Sequence, residues 1–286
     1  EPEKRDTAPA IALAVGWVVA RDPMATMIVL PADHLIQDHA GFQRVLQNAA
    51  LAAENSGSLV TVGIKPTWPC PSYGYLERGR RASIGGVDDL PVWEVARFRE
   101  KPNPDLAEHF ISQGTFSWNA GMFIWSFVTV TNGLEKHQPE MHAACQRWFA
   151  AASKGKLPAV LKKEYPEIKK VSIDYALMEK AQNVVVADGA FEWDDLGAWP
   201  ALARHVKQDA AGNAAVGDFV HVDAARNIVY DARSKGKRTP ICVVGVSDSI
   251  IVQTDDATMV AHKSQAQKVK DLVRKLAESK EHKRLV

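Results

Sequence analysis

Through residue 205 the chain alternates short β-branched runs with stretches of helical periodicity, and this alternation constrains the fold more tightly than any other feature. The runs at 26–30, 59–64, 92–99, 121–125 and 184–187 read as strands. Between them lie helical segments such as 40–55, stopped by Gly57, and "PDLAEHFISQ", which opens on Pro104 and is stopped by Gly114. Proline suits a first helical turn because its missing N–H has no intrahelical partner there, and glycine takes the left-handed conformation that ends a helix. The pattern predicts crossovers over a mostly parallel sheet, an α/β, doubly wound, Rossmann-like architecture. From residue 208 the texture changes to closely spaced short strands: "VGDFVHV", "NIVYDA", "ICVVGV", "SIIVQT" and "ATMVAH". Two domains are therefore expected, 1–207 and 208–286, the second a small β-rich module. It ends in a charged helix, 264–278, with Val269, Leu272, Val273 and Leu276 packing one face. A short β-coil suits this module, although the strict hexapeptide signature is absent.

The charge balance excludes several classes. With 35 Lys and Arg against 34 Asp and Glu, the chain carries no field of the kind that binds nucleic acid, so any anionic ligand is held locally. Cys70, Cys145 and Cys242 show no paired spacing, which argues against a disulfide framework or a zinc site and makes a reducing cytoplasm the expected location. The most apolar stretch, 8–20, is shorter than a bilayer requires and reads as a buried helix, so no membrane partner is expected. Doubly wound folds commonly open with a strand and a glycine-rich turn that meets phosphate at a helix N-terminus. These residues open instead on "EPEKRDTAPAIALA"; either that strand and turn are missing from this chain, or phosphate is held another way.

Four constellations carry chemistry. In "LPADH" a strand delivers Asp33, with His34 beside it, to the edge where open α/β sheets bind ligands; a carboxylate that caps the next turn is the plainer reading. "FEWDDLGAW" (191–199) sets Asp194 and Asp195 in a stiff aromatic turn. Two carboxylates on separate turns can share a hard cation such as Mg²⁺, which takes one or two protein carboxylates and completes its octahedron with phosphate oxygens and water. A cap on the helix that follows is the alternative for Asp195. In "RFREKPNP" Glu100 and Lys101 end a strand ahead of two prolines. A lysine there can meet phosphate and a glutamate can accept from vicinal hydroxyls, or the two can form a solvated ion pair. "FSWNAGMFIW" places Asn119 and Gly121 among aromatics, where an amide offers donor and acceptor and glycine permits close approach; a buried turn with a satisfied asparagine fits as well. "PSYGYLERG" offers Gly74 similarly, between Tyr73 and Tyr75.

Taken in order, "RDTAPAIALA", "LPADH", "SYGYL", "FREKP", "WNAGMF", "SIDYAL" and "FEWDDLGAW" span residues 5–199, and together they resemble the mannose-1-phosphate guanylyltransferases, a group of sugar-phosphate nucleotidyltransferases. The β-rich tail resembles that family's C-terminal module, a short left-handed β-helix. The resemblance implies that Asp33 and Asp195 bind a catalytic Mg²⁺, that Gly74, Glu100 and Asn119 contact mannose with Gly121 beside them, and that Lys101 faces its phosphate. Asp174 falls where the family has an acid near the sugar, or it caps the helix that follows. Arg5, Asp6, Thr7 and Ala8 correspond to a segment lining the guanine pocket, with Asp6 where the family has asparagine. The family's glycine-rich GxGxR loop is not among these residues, so the nucleotidyltransferase domain is expected to be N-terminally incomplete. The implied reaction makes GDP-mannose and pyrophosphate from GTP and mannose 1-phosphate. Exposed strands in the tail suit a homodimer. Two alternatives stay open: transfer to another hexose 1-phosphate, and a non-catalytic subunit that binds a sugar nucleotide.

Overall fold

The apolar stretch near the start is a helix, α1 (Thr7–Val19), with Ala8, Ile11, Ala12 and Val15 buried; it belongs to a computed structural model that describes residues 1–87 and 90–286. Then come β1 (Thr26–Val29), β2 (Leu35–Ile36), α2 (His39–Ser56), β3 (Leu59–Ile64), β4 (Tyr75–Arg81), β5 (Val92–Arg99), α3 (Pro104–Gln113) and β6 (Phe116–Ser126). Helices α4 (Phe127–His137), α5 (Pro139–Ser153) and α6 (Leu157–Glu164) follow, then β7 (Val184–Asp188), β8 (Trp193–Asp194) and α7 (Trp199–His205). The remainder is β9 (Ala214–Val216), β10 (Phe219–Val222), β11 (Ile228–Asp231), β12 (Ile241–Val244), β13 (Ser249–Gln253), β14 (Thr258–His262) and α8 (Val269–Glu278). The chain forms two units: Glu1–Ala32 with Ile36–Trp193, and Asp33–Leu35 with Asp194–Val286. Among the described residues, no helix is long and apolar enough to cross a membrane.

In the first unit six strands run in the order β1-β6-β3-β7-β5-β4, with β4 also meeting β6. The α/β class holds, but the sheet is mixed rather than mostly parallel. The β3–β7 ladder is parallel, whereas β1–β6, β3–β6, β4–β5, β4–β6 and β5–β7 are antiparallel. Alternating strands and helices do not by themselves fix strand direction. Here β5 returns directly beside β4, and β6, reached through α3, runs against three neighbours. Strand β6 also starts at Phe116, well before the 121–125 stretch that its apolar run marks out. Its register slips opposite Thr61 and Gly63, and Gly121, at φ 66°, sits in the bulge. A bulge bends a strand; here residues before it pair with β4 and residues after it with β1.

Local chemistry sets the helix ends. Asp38 accepts from the Gly41 N–H at 2.9 Å to open α2, and Gly57 closes it at φ 64°. Asn103 and Pro104 open α3, and Gly114 closes it at φ 69°. All six residues of β3 are buried. On one side of the sheet Val60 and Val62 pack with Val45 and Ala49 of α2 and with Phe110 and Phe116. On the other, Leu59, Phe123 and Trp125 pack with α1 and with Trp148 of α5.

In the second unit β9, β11 and β13 stack in parallel, β14 runs antiparallel to β13, and β10 pairs with β12 in parallel. The buried Asn227 donates to Asn213 Oδ1 at 3.0 Å and to the Val246 carbonyl at 2.8 Å, tying successive coils at their corners. Ala214 pairs with Ile228 and Ile228 with Ile250, so the coils differ in length and no fixed hexapeptide can repeat. The expected helix 264–278 divides into a 3₁₀ segment (Lys263–Lys268) and α8. Helix α8 has no buried residue, and Leu272 and Val273 stay 44% exposed, so the expected packed face is not formed.

Candidate active site

Two groups of polar side chains stand out, one in each unit. In the first, the β6 bulge carries Asn119 and the strand end after β5 carries Glu100 and Lys101. Gly74 lies against both: a Cβ there would come 2.4 Å from Glu100 Oε2 and 3.2 Å from Asn119 Cβ. Any side chain at position 74 would have to displace the Glu100 carboxylate from this place. Asn119 Nδ2 donates to Asp174 Oδ1 at 2.9 Å, and its Oδ1 accepts from Thr61 Oγ1 at 3.0 Å and from the Gly121 N–H at 3.2 Å. Asp174 opens a π-helical turn, Asp174–Met178, and its side chain faces Asn119 rather than capping that turn. Gly121 thus serves this group through its backbone N–H.

The charges here are coupled. Burial and the neighbouring Glu100 push the Asp174 carboxyl up to about 6, against the opposing pull of its own backbone N–H, Asn119 and Lys101. The Lys101 ammonium bonds Glu100 Oε1. Burial acts to lower the Lys101 pKa, but that hydrogen bond and the Glu100 and Asp174 charges outweigh it and hold the group above the ordinary lysine range. Glu100 is 9% exposed and Lys101 61%, so the pair is half-buried rather than fully solvated. Lys101 sits at φ 47°; its N–H donates to the Tyr73 carbonyl, and the Glu100 N–H donates to Glu179 Oε1, both at 3.2 Å.

The segment 5–8 docks beside this group. Asp6, at φ 70°, accepts from the Thr7 N–H at 2.8 Å, Thr7 Oγ1 accepts from the Ile173 N–H at 2.8 Å, and the Ala8 N–H donates to the Val171 carbonyl at 3.1 Å. Arg5 bonds Glu3 through Nη2, while its Nε is buried with no hydrogen-bond partner.

In the second unit the turns holding Asp33 and Asp195 meet around His34. The fields of Asp33, Asp195 and Asp194 all reach its imidazole and favour the proton, but burial outweighs them and lowers its pKa. Asp194 is fully engaged: Oδ2 accepts from Arg204 Nε and bonds His205 Nε2, both at 2.7 Å, and Oδ1 accepts from Arg204 Nη2 at 2.9 Å and the Leu196 N–H at 3.0 Å. Asp195 accepts from the Gly197 N–H at 3.0 Å, outside α7, which has no side-chain cap. Among the described residues Asp33 makes no side-chain hydrogen bond to a following turn, and it is exposed. Two hard carboxylates are what Mg²⁺ takes from a protein when ligand oxygens and water fill its other positions. Among the described residues no three or more His, Cys, Asp or Glu side chains are grouped to hold a metal.

Residues 1–212 match the nucleotidyl transferase family model, and residues 217–276 match the MannoseP isomerase/GMP-like β-helix domain. The chain belongs to the nucleotidyl transferase family. Within that family it is 37% identical over 274 residues to the xanthan biosynthesis protein XanB of Xanthomonas campestris pv. campestris (strain B100), covering 96% of this chain and 56% of the relative. It is 34% identical over 285 residues to a mannose-1-phosphate guanylyltransferase of Escherichia coli (strain K12), covering 99% and 58%. A crystal structure titled as a mannose-1-phosphate geranyltransferase from Thermus thermophilus superposes with a TM-score of 0.81 at 34% identity, covering 96% of this chain and 76% of that one. The chain spans less than three-fifths of the length of these curated relatives.

Of the residues singled out from sequence, the first unit of this nucleotidyl transferase gathers Gly74, Glu100, Lys101, Asn119, Gly121 and Asp174, with Arg5 to Ala8 bound to the strand of chain before Asp174. The second gathers Asp33 and Asp195 about His34. Sequence reading missed Thr61 and Glu179. A lone hydroxyl in the apolar run "LVTVGI" signals the first; nothing local signals the second.

Proposed function

We propose that this chain is the nucleotidyl-transfer part of a mannose-1-phosphate guanylyltransferase, which forms GDP-mannose and pyrophosphate from GTP and mannose 1-phosphate. One observation carries the reading: Gly74, Glu100, Asn119 and Asp174 form a cluster of two carboxylates and an amide, suited to a polyol, with the more exposed Lys101 ammonium beside it for a phosphate. The names of relatives at 34% identity, mannose-1-phosphate guanylyltransferases, support the same substrates.

A phosphate monoester, with a second pKa of about 6, is largely dianionic near neutral pH, so its oxygen attacks without a dedicated base. Repulsion between anions is the obstacle. Asp33 and Asp195 are the residues that would hold Mg²⁺, which when bound neutralises phosphate charge and steadies the departing pyrophosphate. Lys101 holds the acceptor phosphate in line, and good alignment supplies on the order of 7–11 kcal/mol of the barrier. Glu100 and Asp174 accept from sugar hydroxyls. The Arg5 to Ala8 segment lines the guanine, and the Arg5 Nε–H, buried without a hydrogen-bond partner, is a donor it could use. A cytoplasmic homodimer completes the reading: Cys70, Cys145 and Cys242 form no disulfide, and Val220, Val222 and Val244 form an exposed apolar strip on β10 and β12.

In the full-length protein Lys101→Ala should raise KM for mannose 1-phosphate by about tenfold to a hundredfold, the range for a lost charged hydrogen bond, with KM for GTP little changed. Unchanged affinity for mannose 1-phosphate would remove the assigned role.

A further inference from the structure

Asn119 makes three side-chain hydrogen bonds, and their pattern decides what it can still offer a ligand. Both lone pairs of Oδ1 are taken, by Thr61 Oγ1 and the Gly121 N–H, and one Nδ2 proton is given to Asp174. The capacity left is a single Nδ2–H donor, set beside the carboxylate acceptors of Asp174 and Glu100. A sugar hydroxyl that accepts from Asn119 while donating to a carboxylate satisfies the arrangement. A flipped amide would set Nδ2 against the Gly121 N–H and Oδ1 against the Asp174 carboxylate, losing both bonds.

We propose that Thr61 is the positioning residue that clamps this amide and so sets the hydroxyl specificity of the acceptor site; the inference rests on the reading of that site given above. Thr61 is fully buried in β3, in a run whose other members are apolar. A hydroxyl buried there is unfavourable unless hydrogen-bonded. Its oxygen lies 3.0 Å from Asn119 Oδ1 and 3.1 Å from the Met122 carbonyl, two acceptors from either side of the β6 bulge. One proton serves both, which ties the orientation of the amide to the backbone of the bulge. Valine has the same shape but no hydroxyl. It removes the bond to the Met122 carbonyl and leaves the amide held on its oxygen side by Gly121 alone.

The test uses the full-length protein with ¹⁵N-labelled asparagine. Thr61→Val should raise KM for mannose 1-phosphate about tenfold, equal to the loss of one hydrogen bond, and leave KM for GTP within about twofold. It should also shift the Asn119 side-chain amide signals. Thr61→Ser, which keeps the hydroxyl, should restore both. Should Thr61→Val not fold, Thr61→Ala carries the same expectation. Amide signals unmoved by loss of the hydroxyl, or KM values for both substrates rising together, would overturn the proposal. If the parent turns over no mannose 1-phosphate, the functional reading fails, and the amide signals alone decide the role of Thr61.

Discussion

Adjacent carboxylates in the 191–199 turn do different work. Asp194 is buried and clamped by Arg204 and His205, while Asp195 accepts locally from the Gly197 N–H. Asp194→Asn should therefore destabilise the protein by about 2 kcal/mol, less than for a fully buried pair because Arg204 is 41% exposed; chemical denaturation measures this. Asp195→Asn should shift the melting temperature by no more than about 2 °C. A second residue-scale prediction concerns Asp174. Its carboxyl titrates at about 6 in the folded protein against an ordinary 3.8. Because the folded pKa is raised, protonation stabilises the fold; the benefit is full below about 4 and is lost as pH rises through about 6. Relative to Asp174→Asn, the parent should lose on the order of 2 kcal/mol of stability between pH 4 and pH 7. Parallel pH profiles of the two proteins would refute that electrostatic picture.

Two irregular elements shape the acceptor group. The β6 bulge turns on Gly121 at φ 66°, where an L-residue costs about 1–2 kcal/mol. Gly121→Ala should lower stability by that amount in urea titration and should also weaken mannose 1-phosphate binding, since the Gly121 N–H holds Asn119. The π-helical turn works from both ends: Asp174 at its start reaches Asn119, and Glu179 just past it accepts from the Glu100 N–H. Such turns recur at functional sites. Much of this was legible as local motif, since Gly74, Glu100, Asn119 and Asp174 each stand in a short distinctive run. Thr61 and Glu179 were not, because their partners lie 58 and 79 residues away. Strand β4 was hidden by the charged "ERGRR", which an exposed strand end tolerates. Strand direction was hidden for a related reason: it depends on which distant ladder each strand joins, not on its own periodicity.

At the scale of the whole molecule, the alternation of strand and helix patterns through residue 205 and the change of texture near residue 208 anticipated an α/β unit followed by stacked short strands. The apolar strip on β10 and β12 belongs to this scale as well. Val222→Lys should convert a dimer to a monomer in light scattering while leaving turnover per chain within about twofold; an unchanged mass would place any self-association elsewhere. The proposed transfer reaction requires Asp33 and Asp195 to act together, and that requirement is tested by pyrophosphate release from GTP and mannose 1-phosphate in the full-length protein, its Asp33→Asn variant and its Asp195→Asn variant. Turnover that needs Mg²⁺ in the parent and falls about a hundredfold or more in each variant is the expected result. Turnover undiminished by either substitution, in a protein that still folds, would contradict a shared metal site.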